Sequence, residues 1–127
     1  MIYTQTIEKD IHTVQEDLRN KVKKFSFGIL KEYAFKEILQ GKGFPIEKEI
    51  TVFEICNPSA AQAVLSKHPE LSVYLPCRIS VYEMDSKTIV STIELEAIFN
   101  SFELEDALKT HMLSIFENLK KLIASLE

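Results

Sequence analysis

Residues 54–83 read EICNPSAAQAVLSKHPELSVYLPCRISVYE, and the fold turns on how this stretch is divided. It holds both cysteines of the chain, three of the four prolines and one of the three histidines. Asn57 is a good helix N-cap, and Pro58 suits the first helical position, where an N–H would have no helical partner. The small residues Ser59, Ala60, Ala61 and Ala63 let that helix lie close to a sheet. Pro69-Glu70 repeats the start signal, so HPELSVYL reads as a second helical turn rather than a strand. Leu75-Pro76 then requires extended backbone leading into a strand that begins near Cys77. The stretch is strand, helix, turn and strand, and every proline sits at a joint.

Working outward, residues 2–7 (IYTQTI) alternate apolar and polar and predict a strand. Asp10 is placed to cap a helix whose Ile11, Val14, Leu18 and Val22 recur at helical spacing, with Lys21, Lys23 and Lys24 near its negative end. Residues 25–33 (FSFGILKEY) read as a strand with Gly28 as its bulge. AFKEILQGKG, 34–43, is a short helix stopped by Gly41 or Gly43. EITVFEIC, 49–56, is a β-branched and aromatic strand. Strands over 78–84 and 87–93 are joined at Asp85-Ser86 as a hairpin. Helix follows from about Leu95, with a break near Asn100-Ser101. The expected fold is α+β, one domain over 1–127, with an antiparallel or mixed sheet of about five strands and helices mainly on one face.

Composition narrows the class. With 127 residues the chain can bury an ordinary core without a metal or disulfide staple. Nineteen acids against 15 bases give a net charge of −4, which offers no general attraction for nucleic acid or an anionic membrane. Apolar runs are too short to span a bilayer, and MIYTQTIEKD does not read as a signal peptide. Two cysteines without an export signal are expected to be reduced thiols in a cytoplasm. Three glycines and four prolines in the whole chain leave little room for a flexible linker.

The order CNP, then Pro69-Glu70, then LPCRISVYE, a short turn and KTIVS resembles the DUF302 family of bacteria and archaea, and MIYTQTIEKDIHTVQEDL and FGIL fit the same pattern. The resemblance covers residues 1–94 and leaves 95–127 as a C-terminal helical extension. It implies a compact α+β domain with a TATA-binding-protein-like or related sheet-and-helix arrangement, frequently a homodimer, and it implies no biochemical activity. Two segments depart from the family pattern. Glu94-Leu95 stands where Asp-Pro is expected, and GKGFPIEKEI before the third strand is worded differently.

Catalysis is not indicated. His12 and His111 fall on helices with no nucleophile elbow beside them, and Gly28, Gly41 and Gly43 fit no phosphate-loop spacing. Cys56 and Cys77 lie 21 positions apart, so no C-x-x-C pair exists, and adding His68 matches no zinc signature. No catalytic residue, metal or cofactor is expected. Cys56 ends a strand just before a helix start, where the helix dipole favours a thiolate, so a sulfur- or oxidant-handling or metal-responsive role for Cys56 and Cys77 is one reading. The favoured reading is a non-catalytic binding module. A small anionic or apolar ligand would sit against Cys56, Asn57 and Pro58 at the helix start and against Leu75, Pro76, Cys77 and Arg78. A third is a structural or partner-binding homodimer. Leu104, Leu108, His111, Ile115, Leu119, Leu122 and Leu126 make one stripe on a helix of about 23 residues, flanked by Ala107, Met112, Phe116 and Ile123. Either the stripe lies on the chain's own sheet, or part of it faces a second copy. Glu105 with Lys109 and Glu117 with Lys121 are expected as surface pairs. No nucleic-acid or membrane partner is expected.

Overall fold

The computed structural model describes residues 2–127. Five strands form one sheet: β1 (Ile2–Ile7), β2 (Gly28–Ala34), β3 (Ile50–Cys56), β4 (Cys77–Met84) and β5 (Lys87–Ile93). They lie in the order β1-β5-β4-β3-β2, every neighbouring pair antiparallel. Four consecutive strands therefore form a meander, and the first strand closes the far edge beside the last. The β4–β5 hairpin turns at Asp85 and Ser86, both at positive φ (53° and 66°), as a two-residue turn with the twist of its strands requires.

Five helices accompany the sheet: α1 (Ile11–Lys21), α2 (Phe35–Gly41), α3 (Pro58–Leu65), α4 (Leu95–Asn100) and α5 (Asp106–Ala124). Short 3-10 turns follow α1 at Val22–Phe25 and α3 at Pro69–Val73. Strand alternation decides where the core sits. Thr51, Phe53 and Ile55 of β3, Ile79 and Val81 of β4, and Val90 of β5 point to one face and are buried. Ile11, Val14 and Leu18 of α1 and Leu119, Leu122 and Ile123 of α5 belong to the same buried cluster. Each fully buried side chain of this kind stabilises the fold by about 1.5–3 kcal/mol. The one polar residue that α1 buries, Gln15, donates from its side-chain nitrogen to the Thr51 hydroxyl at 3.1 Å, which offsets its desolvation. The opposite face, which carries Val52, Glu54, Arg78 and Ser80, is the more open of the two.

Local predictions fare unevenly. Gly43 holds φ +84° just past α2, and the Gly43 and Phe44 amides donate back to the Gln40 and Leu39 carbonyls, so Gly43 is the stop. Gly28, in contrast, pairs regularly with Cys56. The register slips between Ile29 and Lys31, so the bulge falls at Leu30 on the exposed edge strand. Asp10 sits at the N-cap of α1 but its carboxylate caps no backbone amide; it accepts instead from the Thr13 hydroxyl. The break after Asn100 is real, and the Ser101 hydroxyl donates to the Ile98 carbonyl there. That break continues to Glu105, so the last helix has 19 residues, or about 28 Å, and Leu104 precedes it. Its apolar stripe faces inward, with Leu108, Ile115, Leu119 and Leu122 all buried, whereas Ala107 is exposed. Neither expected surface pair on this helix forms. Glu105 binds His68, and Glu117 binds Lys120 at 2.8 Å, one residue short of Lys121.

Candidate ligand site

β3 and β4 are antiparallel with Ile55 opposite Cys77, so Cys56 stands one residue off a direct pairing with Cys77. Strand geometry makes that diagonal about 6 Å between Cα atoms. At this end of the sheet the chain leaves β3 through Asn57 into α3 and returns through Leu75-Pro76, a cis peptide, into β4. The Asn57 side-chain oxygen accepts from the Ala60 amide at 2.9 Å, which fixes the start of α3 directly after Cys56. On the far side of α3, the His68 ring lies 3.2 Å from Glu105 and 3.4 Å from Glu70, tying the Pro69–Val73 turn to the residue that precedes α5.

These segments enclose a pocket. Cys56, Asn57, Leu75, Pro76 and Cys77, from the two segments singled out in the sequence, line one side of it. Phe27, Ile55, Ala60 and Ala61 continue the wall, and Met112 and Ile115 of α5 close it from above. The empty space is about 300 Å³ including the open mouth. About 30 Å³ of it can be reached by the centre of a water-sized sphere, room for about two waters. The lining is overwhelmingly apolar, and no cationic side chain contributes to it.

Two of the predicted residues lie outside. Pro58 is exposed on the first turn of α3 and does not reach the pocket. Arg78 follows Cys77 on β4 and therefore projects to the open face, where its guanidinium meets the Glu54 carboxylate at 3.2 Å. The Tyr33 hydroxyl donates to the same carboxylate at 2.8 Å. An anionic ligand would thus lack the arginine expected of it. The lining residues missed were Phe27, Ile55, Ala60, Ala61, Met112 and Ile115. Their only signal was membership in apolar stripes, which does not say which residues border a gap.

Burial sets the state of the thiols. It pushes Cys77 from 9.0 up to about 11, with the nearby Cys56 sulfur adding to the effect. Burial also raises Cys56, although less of it is enclosed. The α3 dipole would lower Cys56, whereas the burial of its thiol acts in the opposite direction and raises it. Both cysteines are free thiols, protonated at neutral pH. Among the described residues no group of three or more His, Cys, Asp and Glu is placed to hold a metal ion, and no helix is long and apolar enough to cross a membrane.

A family model, described as a domain of unknown function, DUF302, matches residues 3–126, so the matched region runs on through α4 and α5. A crystal structure of an uncharacterized conserved DUF302 protein from Bacillus stearothermophilus is similar over 98% of this chain and 94% of its own, with 26% identity and a TM-score of 0.79. No curated protein matches the chain.

Proposed function

The chain belongs to the DUF302 family, and from that starting point we propose that it is a non-catalytic binding module that takes a small apolar molecule, or the apolar end of a larger one, into the pocket between α3, α5 and the ends of β3 and β4. One observation carries this reading. Two segments 20 residues apart in sequence, each ending at a cysteine or proline joint, meet as walls of one apolar pocket whose thiols are uncharged. The volume sits at the low end of the range for ligand pockets, and the water-sized space within it is smaller still, so only a slender guest fits without movement of the wall. The hydroxyl- and arginine-bearing residues lie elsewhere, which favours the apolar guest over the anionic one.

The test is carbon-detected NMR of the methionine and alanine methyls with xenon and then benzene added. Saturable shifts of Met112, Ala60 and Ala61, with the open-face residues unmoved, are the expected result. Unchanged spectra, or shifts spread evenly over the chain, would sink the reading.

Self-association is the second reading, favoured by the open face. Ile2 and Ile93 are opposite one another in register and are 69% and 41% exposed there, while α5 keeps its stripe inside. A second copy would cover the sheet rather than the helix. Light scattering should give twice 14.6 kDa, and Ile93→Lys should return the monomer mass. A monomer before the substitution removes this reading.

A further inference from the structure

Asn57 differs from every other residue of the pocket wall. Of the side chains that line it, only that of Asn57 carries a nitrogen or an oxygen. The backbone at Asn57 is still extended (φ −99°, ψ 106°), so alternation runs on from β3 and turns Asn57 to the same side as Ile55. One half of its side-chain amide is already engaged. The Ala60 N–H can only donate, so the atom 2.9 Å from it is the Asn57 oxygen, and the nitrogen takes the other branch of the amide. No group among the described residues accepts from that nitrogen, which stands open rather than sealed in the interior. We propose that the guest of this pocket is an uncharged molecule with an apolar body and one hydrogen-bond acceptor, a carbonyl or ether oxygen, to which the Asn57 side-chain nitrogen donates.

This assignment rests on the pocket reading, that the cavity admits an apolar guest, and adds what the guest must carry at one end. A guest with no polar atom would displace water from the Asn57 amide and leave an N–H group buried without a partner, which costs binding free energy. A guest that brings an acceptor to that point avoids the cost. A carboxylate could also accept there, but no cationic side chain lines the pocket to offset the burial of its charge. A neutral oxygen loses far less on leaving water.

The rest of the wall agrees with an acceptor at this end. Both thiols keep their protons at neutral pH and are weak donors. The first turn of α3 begins directly after Asn57 and presents the positive end of its dipole. A guest ending in an ammonium or other donor finds no free side-chain acceptor, because the one side-chain oxygen is held by Ala60. The same bond fixes the plane of the Asn57 amide, so its donor is aimed before the guest arrives and little side-chain freedom is lost on binding. The apolar body would then lie along Phe27, Met112 and Ile115.

The experiment compares two guests of one shape, cyclopentanone and methylenecyclopentane, which differ only in an exocyclic oxygen against a methylene. Each is titrated into the full-length chain and into Asn57→Asp, and binding is followed through the Ala60 and Met112 methyls by NMR. Aspartate keeps the N-cap acceptor and with it the start of α3, but places an oxygen where the nitrogen stood. The ketone-to-alkene affinity ratio should fall about tenfold or more in Asn57→Asp, and taking the ratio within each protein cancels the different hydration of the two guests. In the wild type the Asn57 side-chain amide protons should move downfield with the ketone and not with the alkene, a readout that stands even if the variant does not fold. An unchanged ratio, or amide protons that answer both guests alike, overturns the assignment. If the alkene still shifts Ala60 and Met112 saturably in that event, the pocket reading stands and only the acceptor falls. If neither guest enters, both fall together.

Discussion

The two faces of the sheet are built by alternate residues of the same strands, yet they do different physical work. On the helix-covered face Phe53, Ile55, Ile79, Val81 and Val90 are completely buried. On the open face the residues between them are Val52, Glu54, Ser80, Ser91 and Ile93, a mixture of hydroxyls, aliphatics and an Arg78–Glu54–Tyr33 cluster. Ser91 is buried even here, because it lies on the sheet's interior strands among neighbours and exchanges a 3.1 Å hydrogen bond with Thr4. A strand's pattern thus says which residues share a face, and the helices decide which face becomes the core. The pocket lies where the covered face runs out, at the strand ends, so it borrows apolar walls from the core and an opening from the surface.

The sharpest way to break this comparison is on a single strand. Phe53→Ala should cost about 3–5 kcal/mol in chemical denaturation, since it leaves a cavity in a face that cannot collapse. Val52→Ala, one residue away on the open face, should cost about 1 kcal/mol or less, because it is already half exposed. Equal costs would mean that something covers the open face in solution, as a second copy would.

A smaller effect comes from the pocket edge. The Cys77 thiol ionises near 11 in the folded chain against 9.0 without burial. The folded state therefore keeps a proton that the unfolded state gives up above pH 9, and stability falls as pH rises from about 9 to 11. Two pH units at 1.36 kcal/mol each make about 2.7 kcal/mol, an order-of-magnitude figure. Lysines and tyrosines titrate in the same range, so the measurement is the difference between wild type and Cys77→Ala across that window. A pH dependence identical in the two would show that Cys77 is not desolvated. The smallest effect is local. Asn57→Ala removes the acceptor of the Ala60 amide and should cost about 1 kcal/mol. A change of less than a few tenths would place the start of α3 elsewhere and loosen the pocket wall with it.

Much of the fold was legible because its signals are local. Asn57-Pro58 starts a helix, Gly43 ends one, Asp85-Ser86 turns a hairpin, and β-branched alternation marks β3 and β5; each is written in a few neighbouring residues. The bulge was not legible. Gly28 is the residue that tolerates irregular backbone, but the slip occurs at Leu30, where edge pairing leaves the ladder free to shift. Half of the candidate site was legible for the same reason, since Cys56, Asn57, Pro76 and Cys77 stand at joints. Arg78 was misplaced because strand alternation sends it to the opposite face from Cys77.

By itself the sequence determined the elements, their order along the chain and the residues at their ends, because caps, turns and periodicities act within about five residues. Only the tertiary structure decided that β1 pairs with β5, that α5 spends its stripe inside the chain, and that Met112 closes a pocket over two cysteines 35 and 56 positions away. Those outcomes depend on how apolar surfaces are shared among distant elements. Hydrophobic burial is non-directional, and it rewards any arrangement that removes the area from water.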